Sequence, residues 1–180
     1  MMYKFILAVL FVSAINIIVV FTANAAPYGD GKYNEVVPYG GQTQLSIATT
    51  GSISIPITPA SGGTLGTGPS VVTVTSTDVA GYKLYIRSVT TTSLVNGVAV
   101  LPASSNVTAG TLAINTWGYN TTGLTTFIGL TTSDILLKSF TGPAETGDVT
   151  TVTYGVNIDQ SKKAGSYSSD VVYTAVPQTN

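Results

Sequence analysis

The stretch TVTYGVNIDQSKKAGSYSSDVVYTAV, residues 151–176, carries the clearest structural pattern in the chain. In its first part, large apolar residues alternate with Thr, Gly and Asn, which is the period of a half-buried β-strand. These apolar residues are Val152, Tyr154, Val156 and Ile158. Residues 159–165 predict a turn, and Tyr167 begins a second strand. Tyr167 also stands where a corner tyrosine would bond its hydroxyl to a backbone group. We therefore interpret the stretch as the last hairpin of a β-fold rather than as a binding surface.

The same alternation recurs along most of the chain. It predicts further strands at residues 45–48, 53–57, 72–75, 82–89, 98–101, 112–117, 124–130 and 134–140. Pro56 has no backbone N–H to donate to a neighbouring strand, so its strand is predicted to lie at the edge of a sheet or to carry a bulge. The Gly-rich residues 61–70 predict a loop. Eight or nine strands without an amphipathic helix predict an all-β fold, an antiparallel immunoglobulin-like or jelly-roll-like β-sandwich, with a closed barrel as the alternative.

The N-terminal residues predict export. An apolar run follows Lys4 and ends at small residues, and Ala23-Asn24-Ala25 fits a signal-peptide cleavage site. Residues 1–25 are therefore predicted to be a signal peptide, with a retained membrane anchor as the alternative because the run is long. Residues 26–43 form a Tyr-, Gly- and Pro-rich linker, and residues 44–177 form the domain. We expect a secreted or cell-surface protein that contacts membrane only if the N-terminal segment stays attached.

Composition excludes most catalytic chemistry. The chain has no Cys and no His, so it lacks the nucleophile–histidine pairs, the thiol redox centres and the usual zinc ligands. Its acidic residues fall in linkers, turns and strand ends, where carboxylates are normally solvated. Seven basic and eight acidic residues give a net charge of −1, which argues against nucleic-acid binding. We expect no enzyme activity, no cofactor and no metal.

The strongest candidate for a binding surface is TWGYN, residues 116–120. In a strand, Trp117 and Tyr119 share a face, and that spacing suits stacking on sugar rings. Tyr85 would extend the aromatic platform if the strands align. The alternative is that the single Trp fills the core, as large aromatic side chains usually do.

Several segments resemble a known group of proteins. Residues 28–40, 76–87, 116–119 and 150–175 are similar to small secreted immunoglobulin-like surface proteins of ultrasmall, candidate-phyla bacteria. A weaker likeness runs to spore-coat and fimbrial subunits and to Trp-x-Leu surface domains. This chain lacks the cysteines common in the subunits, and its Trp is followed by Gly-Tyr. The resemblance implies a cell-surface location and a structural or adhesive role, and it brings no catalytic residues.

Two functions are open at this point. The first is a non-enzymatic surface protein that assembles with copies of itself through exposed strand edges, with residues 42–57 as a donor strand. The residues of that assembly strand are Leu45, Ile47, Ile53 and Ile55. The second is a module that binds surface glycan or cell wall through Trp117, Tyr119 and Tyr85.

Overall fold

The computed structural model describes the backbone of residues 8–14 and describes residues 44–77 and 79–178 in full. The predicted cleavage site and the predicted linker 26–43 lie outside these residues. The described residues form eleven strands: β1 (Ala8–Ala14), β2 (Gln44–Thr49), β3 (Ile53–Ile57), β4 (Thr64–Thr77), β5 (Gly81–Ser88), β6 (Leu94–Asn96), β7 (Ala99–Leu101), β8 (Thr116–Asn120), β9 (Ile135–Thr141), β10 (Asp148–Ile158) and β11 (Tyr167–Gln178). Within this described part of the chain, no helix is long and apolar enough to cross a membrane.

The strands form two sheets. Sheet A has the order β3-β1-β11-β5-β9, and the short β6–β7 hairpin joins it through β11. Sheet B has the order β2-β4-β10-β8. Paired strands are antiparallel, with the exception of the parallel pair β1–β11. The prediction of an all-β fold built from antiparallel sheets, consistent with a β-sandwich, is confirmed.

The predicted closing hairpin was wrong. β10 belongs to sheet B, where it pairs with β4, and β11 belongs to sheet A, where it pairs with β5. The turn after Ile158 therefore crosses from one sheet to the other. The two strands still meet, because their buried faces oppose each other across the core and the Tyr154 and Tyr173 hydroxyls lie 2.6 Å apart. The corner prediction for Tyr167 is confirmed, since its hydroxyl donates to the Lys163 carbonyl at 2.9 Å.

The predicted loop at residues 61–70 is also corrected. From Thr64 this stretch is the first half of β4, the longest described strand, and it pairs with β10. Gly66 and Gly68 are glycines because β3 packs on this part of β4: a Cβ at Gly66 would lie 2.5 Å from Ile57 and 2.9 Å from Ile55. The glycines therefore permit close sheet packing and do not mark a turn.

The predicted strand faces agree with the burial. Tyr82, Leu84 and Ile86 are fully buried, as are Val72 and Val74. The strand that contains Pro56, β3, lies at an edge of sheet A. This position agrees with the prediction made from the missing backbone N–H of proline. Two predicted strands differ from the structure. Residues 124–130 contribute only isolated bridges. β8 begins at Thr116, after most of the predicted 112–117 strand.

Candidate functional site

The predicted aromatic site lies inside the domain. Trp117 and Tyr119 are on β8, opposite Val156 and Tyr154 of β10. Trp117 is 0 % exposed and Tyr119 is 2 % exposed. The indole N–H of Trp117 donates to the Thr92 carbonyl at 2.9 Å, and its ring centroid lies 6.3 Å from that of Tyr154. The polar group of the indole is thus paired within the protein, as expected for a core Trp.

The outer face of β8 is covered as well. Residues 127 and 128 bridge to residues 110 and 119 and lie over the strand. A Cβ at Gly118 would clash with the Ile128 carbonyl, and a Cβ at Gly155 would clash with the Phe127 ring. Segment 124–130, predicted as a strand, therefore packs on sheet B as a covering layer. Neither face of β8 offers Trp117 or Tyr119 to a sugar.

Tyr85 is not brought near this pair. It lies on β5 in sheet A, where its strand neighbours are Thr174 and Leu136. It is half-buried on the outer face of that sheet. Because Trp117 belongs to sheet B, the three residues predicted for a glycan platform do not form one surface.

The predicted assembly residues are divided between two strands. Leu45 and Ile47 lie on β2, the outermost strand of sheet B, and are half-buried against the core. Ile53 and Ile55 lie on β3, the outermost strand of sheet A, and are buried. β2 and β3 are thus neighbours in sequence but edges of opposite sheets.

Edge strand β2 lacks the usual protection of an edge. Exposed edges of natural sheets normally carry Lys, Pro or a bulge that prevents pairing with another chain. The sequence of β2, QLSIAT, has no charge and no proline. β3 contains Pro56 and β9 contains Lys138. The outer edge of β8 is occupied by backbone hydrogen bonds to residues 102, 104 and 128. β2 is therefore the strand with the weakest barrier to pairing.

A polar cluster joins the two sheets at one end of the core. The Tyr82 hydroxyl on β5 donates to Asp148 at the start of β10, and the Lys138 ammonium on β9 lies 2.6 Å from the same carboxylate. Burial opposes ionisation of Asp148, but the hydrogen bonds from Lys138 and Tyr82 and the ammonium charge outweigh it and lower its pKa. Burial of Tyr82, together with its hydrogen bond to the same carboxylate and the charge of that carboxylate, raises the pKa of the phenol.

The cluster contains neither a nucleophile nor a set of metal ligands. Its carboxylate is held by an ion pair and a phenol, which is a structural arrangement that ties sheet A to sheet B. In the part of the chain that the structure describes, no group of three or more His, Cys, Asp or Glu residues could hold a metal ion.

A second carboxylate stabilises the turn between β10 and β11. Asp159 accepts hydrogen bonds from the Ser161 hydroxyl at 2.6 Å and the Asn115 amide at 3.0 Å. Hydrogen bonds from Ser161 and from Asn115 lower the pKa of Asp159. Asn115 has a φ of 64°, a conformation that Asn adopts more readily than most residues. This carboxylate therefore closes a turn, a role that the spacing of acids in the sequence does not reveal.

Comparison with protein-family models and with curated proteins gives no relative. No protein-family model matches the chain, and no curated protein matches its sequence. The structure itself defines the class: an all-β protein built from two antiparallel sheets packed around one core.

Proposed function

We propose that this chain is a secreted, non-enzymatic structural or adhesive protein of the cell surface, which assembles with copies of itself through its strand edges. One observation carries the proposal: β2 is an edge strand with alternating apolar residues, no charge and no proline. Main-chain hydrogen bonds to such an edge supply affinity, and alternate side chains set the register.

The remaining surface supports the same role. The chain has only 8 % charged residues, and Thr and Ser alternate with apolar residues along the strands. Such faces are soluble without strong charge repulsion between copies, so they permit close association. The apolar run and the Ala23-Asn24-Ala25 motif support export. The proposed location is therefore the cell exterior, and the proposed partner is a second copy of the chain.

Glycan binding has weaker support. The residues that suggested it, Trp117 and Tyr119, are buried with no ring face in solvent. Tyr85 is separate from them on the other sheet. Because these three residues do not form one exposed surface, we do not propose a second function.

Assembly is tested on residues 26–180 at high concentration by light scattering and negative-stain microscopy. We expect ordered filaments or sheets, with far-UV circular dichroism confirming that the protein is folded. Deleting residues 26–50 removes β2 and should abolish assembly while the remaining domain keeps its β-spectrum. Filaments that persist in this deletion variant would show that β2 is not the assembly strand, and a folded monomer from residues 26–180 would refute assembly.

A further inference from the structure

Strand β1 occupies an internal position in sheet A although its residues belong to the predicted signal peptide. Residues 8–12 pair with Ile53–Ile57 of β3 on one side. Residues 10–14 pair with Tyr167–Val171 of β11 on the other side. Among the described residues, β3 has no other partner within its sheet. Removal of the signal peptide would therefore leave a gap one strand wide between β3 and β11, which we name the β3–β11 slot.

The slot requires an extended peptide. Both of its walls are strand edges, and buried backbone N–H and C=O groups must find hydrogen-bond partners. The wall positions that face the core are buried isoleucines of β3 together with Tyr167 and Val171 of β11. A sugar or a lipid chain cannot pair with two ladders at once, whereas a β-strand does so along its whole length.

The register defines which side chains a strand in the slot must carry. Positions 8, 10 and 12 lie opposite the buried residues of β3, and positions 10 and 14 lie opposite Tyr167 and Val171. Cross-strand partners share a face, so alternate positions of the occupant are on the core side. The slot thus selects a strand with apolar residues at alternate positions on its core side.

Strand β2 meets this requirement. Leu45 and Ile47 are apolar and alternate with Gln44, Ser46 and Ala48. In its own sheet, β2 pairs along one side with β4 and its apolar residues are half-buried. In the slot it would pair along both sides and bury them. This gain favours transfer of β2 into an open slot.

We propose that the β3–β11 slot is an acceptor site that takes strand β2 of a second copy after the signal peptide is removed. This inference rests on the proposed function and specifies its mechanism. Each copy offers one slot and one donor strand, so the contact is head-to-tail and builds a closed ring or an open filament. While residues 8–14 pair with both walls, the slot is closed to a second copy.

Cysteine pairs distinguish the positions of β2, because the natural chain has no cysteine. In its own sheet Ser46 lies opposite Thr75. With Leu45 at slot position 10, Ser46 takes position 11, which lies opposite Ser54. Cα atoms of directly opposite strand residues are close enough for a disulfide. A disulfide between Ser46→Cys and Thr75→Cys within one chain therefore reports β2 in its own sheet. A disulfide between Ser46→Cys of one copy and Ser54→Cys of another reports β2 in the slot.

The experiment uses the full-length chain in mild detergent, with a protease site inserted between residues 26 and 43. Before cleavage we expect the 46–75 disulfide within each chain and no covalent dimer from a mixture of the S46C and S54C chains. After cleavage the mixture should form the 46–54 dimer as its major product, and mass spectrometry should show release of the peptide that contains residues 8–14. Ser105→Cys, on an exposed loop, measures random collision.

Other outcomes overturn the inference in recognisable ways. Filaments in which the 46–75 disulfide still forms fully would keep assembly but reject the slot. An internal disulfide between Ala48→Cys and Ser54→Cys would show that the chain closes the slot with its own β2 as a hairpin. Retention of residues 8–14 in the slot after cleavage would show that it accepts no other strand. Absence of any assembly, with the protein folded, would refute the proposed function itself.

Discussion

Replacing Trp117 by Ala separates a core role from a binding role. The side chain is fully buried, and its truncation to Ala typically costs about 3–5 kcal/mol of the free energy of unfolding. Part of this loss comes from the Thr92 carbonyl, which loses the indole N–H at 2.9 Å and with it a hydrogen bond worth about 1 kcal/mol. For a domain of this size, each kcal/mol lowers the melting temperature by about 2–4 °C, so we expect a decrease of about 6–20 °C.

The assay is thermal and urea denaturation followed by far-UV circular dichroism, because the variant has no Trp to report by fluorescence. Leu124→Ala is the matched control: Leu124 is 64 % exposed, and its truncation should change the free energy of unfolding by less than about 0.5 kcal/mol. If Trp117→Ala were as stable as the Leu124→Ala control, Trp117 would not be a core residue, and glycan binding would return as the leading function.

Three further substitutions test the packing and the electrostatics. Tyr167→Phe should cost about 1 kcal/mol because the Lys163 carbonyl loses its hydroxyl donor; a melting temperature equal to that of the parent would contradict the corner bond. Gly66→Ala should cost about 1–3 kcal/mol in urea denaturation because its Cβ overlaps Ile57, and an unchanged midpoint would argue against the close packing of β3. The pKa of Asp148 is lower in the folded state than in the unfolded chain, so its contribution is complete above about pH 4 and is lost as the pH falls through the folded pKa. Stability should therefore fall more steeply below about pH 4 in the parent than in Asp148→Asn, and parallel acid titrations would exclude this role.

The faces of the strands could be predicted from the sequence because alternation is a local property. Tyr82, Leu84 and Ile86 share one face in any strand of that sequence, and the core must cover it. The corner role of Tyr167 was equally local, since its hydroxyl reaches a carbonyl only four residues away. Pro56 marked an edge strand because proline has no N–H to donate in any sheet.

The candidate site could not be predicted in the same way. Trp117 and Tyr119 alternate whether they face solvent or core, and only the covering segment around Phe127 decides that both faces of β8 are buried. Tyr85 was predicted to extend the aromatic platform of this pair, because the sequence does not indicate which sheet its strand joins. The ion pair between Asp148 and Lys138 joins opposite sheets, so no spacing of charges in the chain indicated it.

The sequence by itself determined an all-β chain, the inward face of most strands and the absence of cysteine and histidine chemistry. Tertiary structure alone decided which sheet each strand joins. Pairing is a contact between distant residues, and the same turn after Ile158 suits either a hairpin or a crossover between sheets. Gly66 has the same ambiguity, since glycine permits both a turn and close packing of two strands. The position of residues 8–14 between β3 and β11 also depends on such long-range pairing.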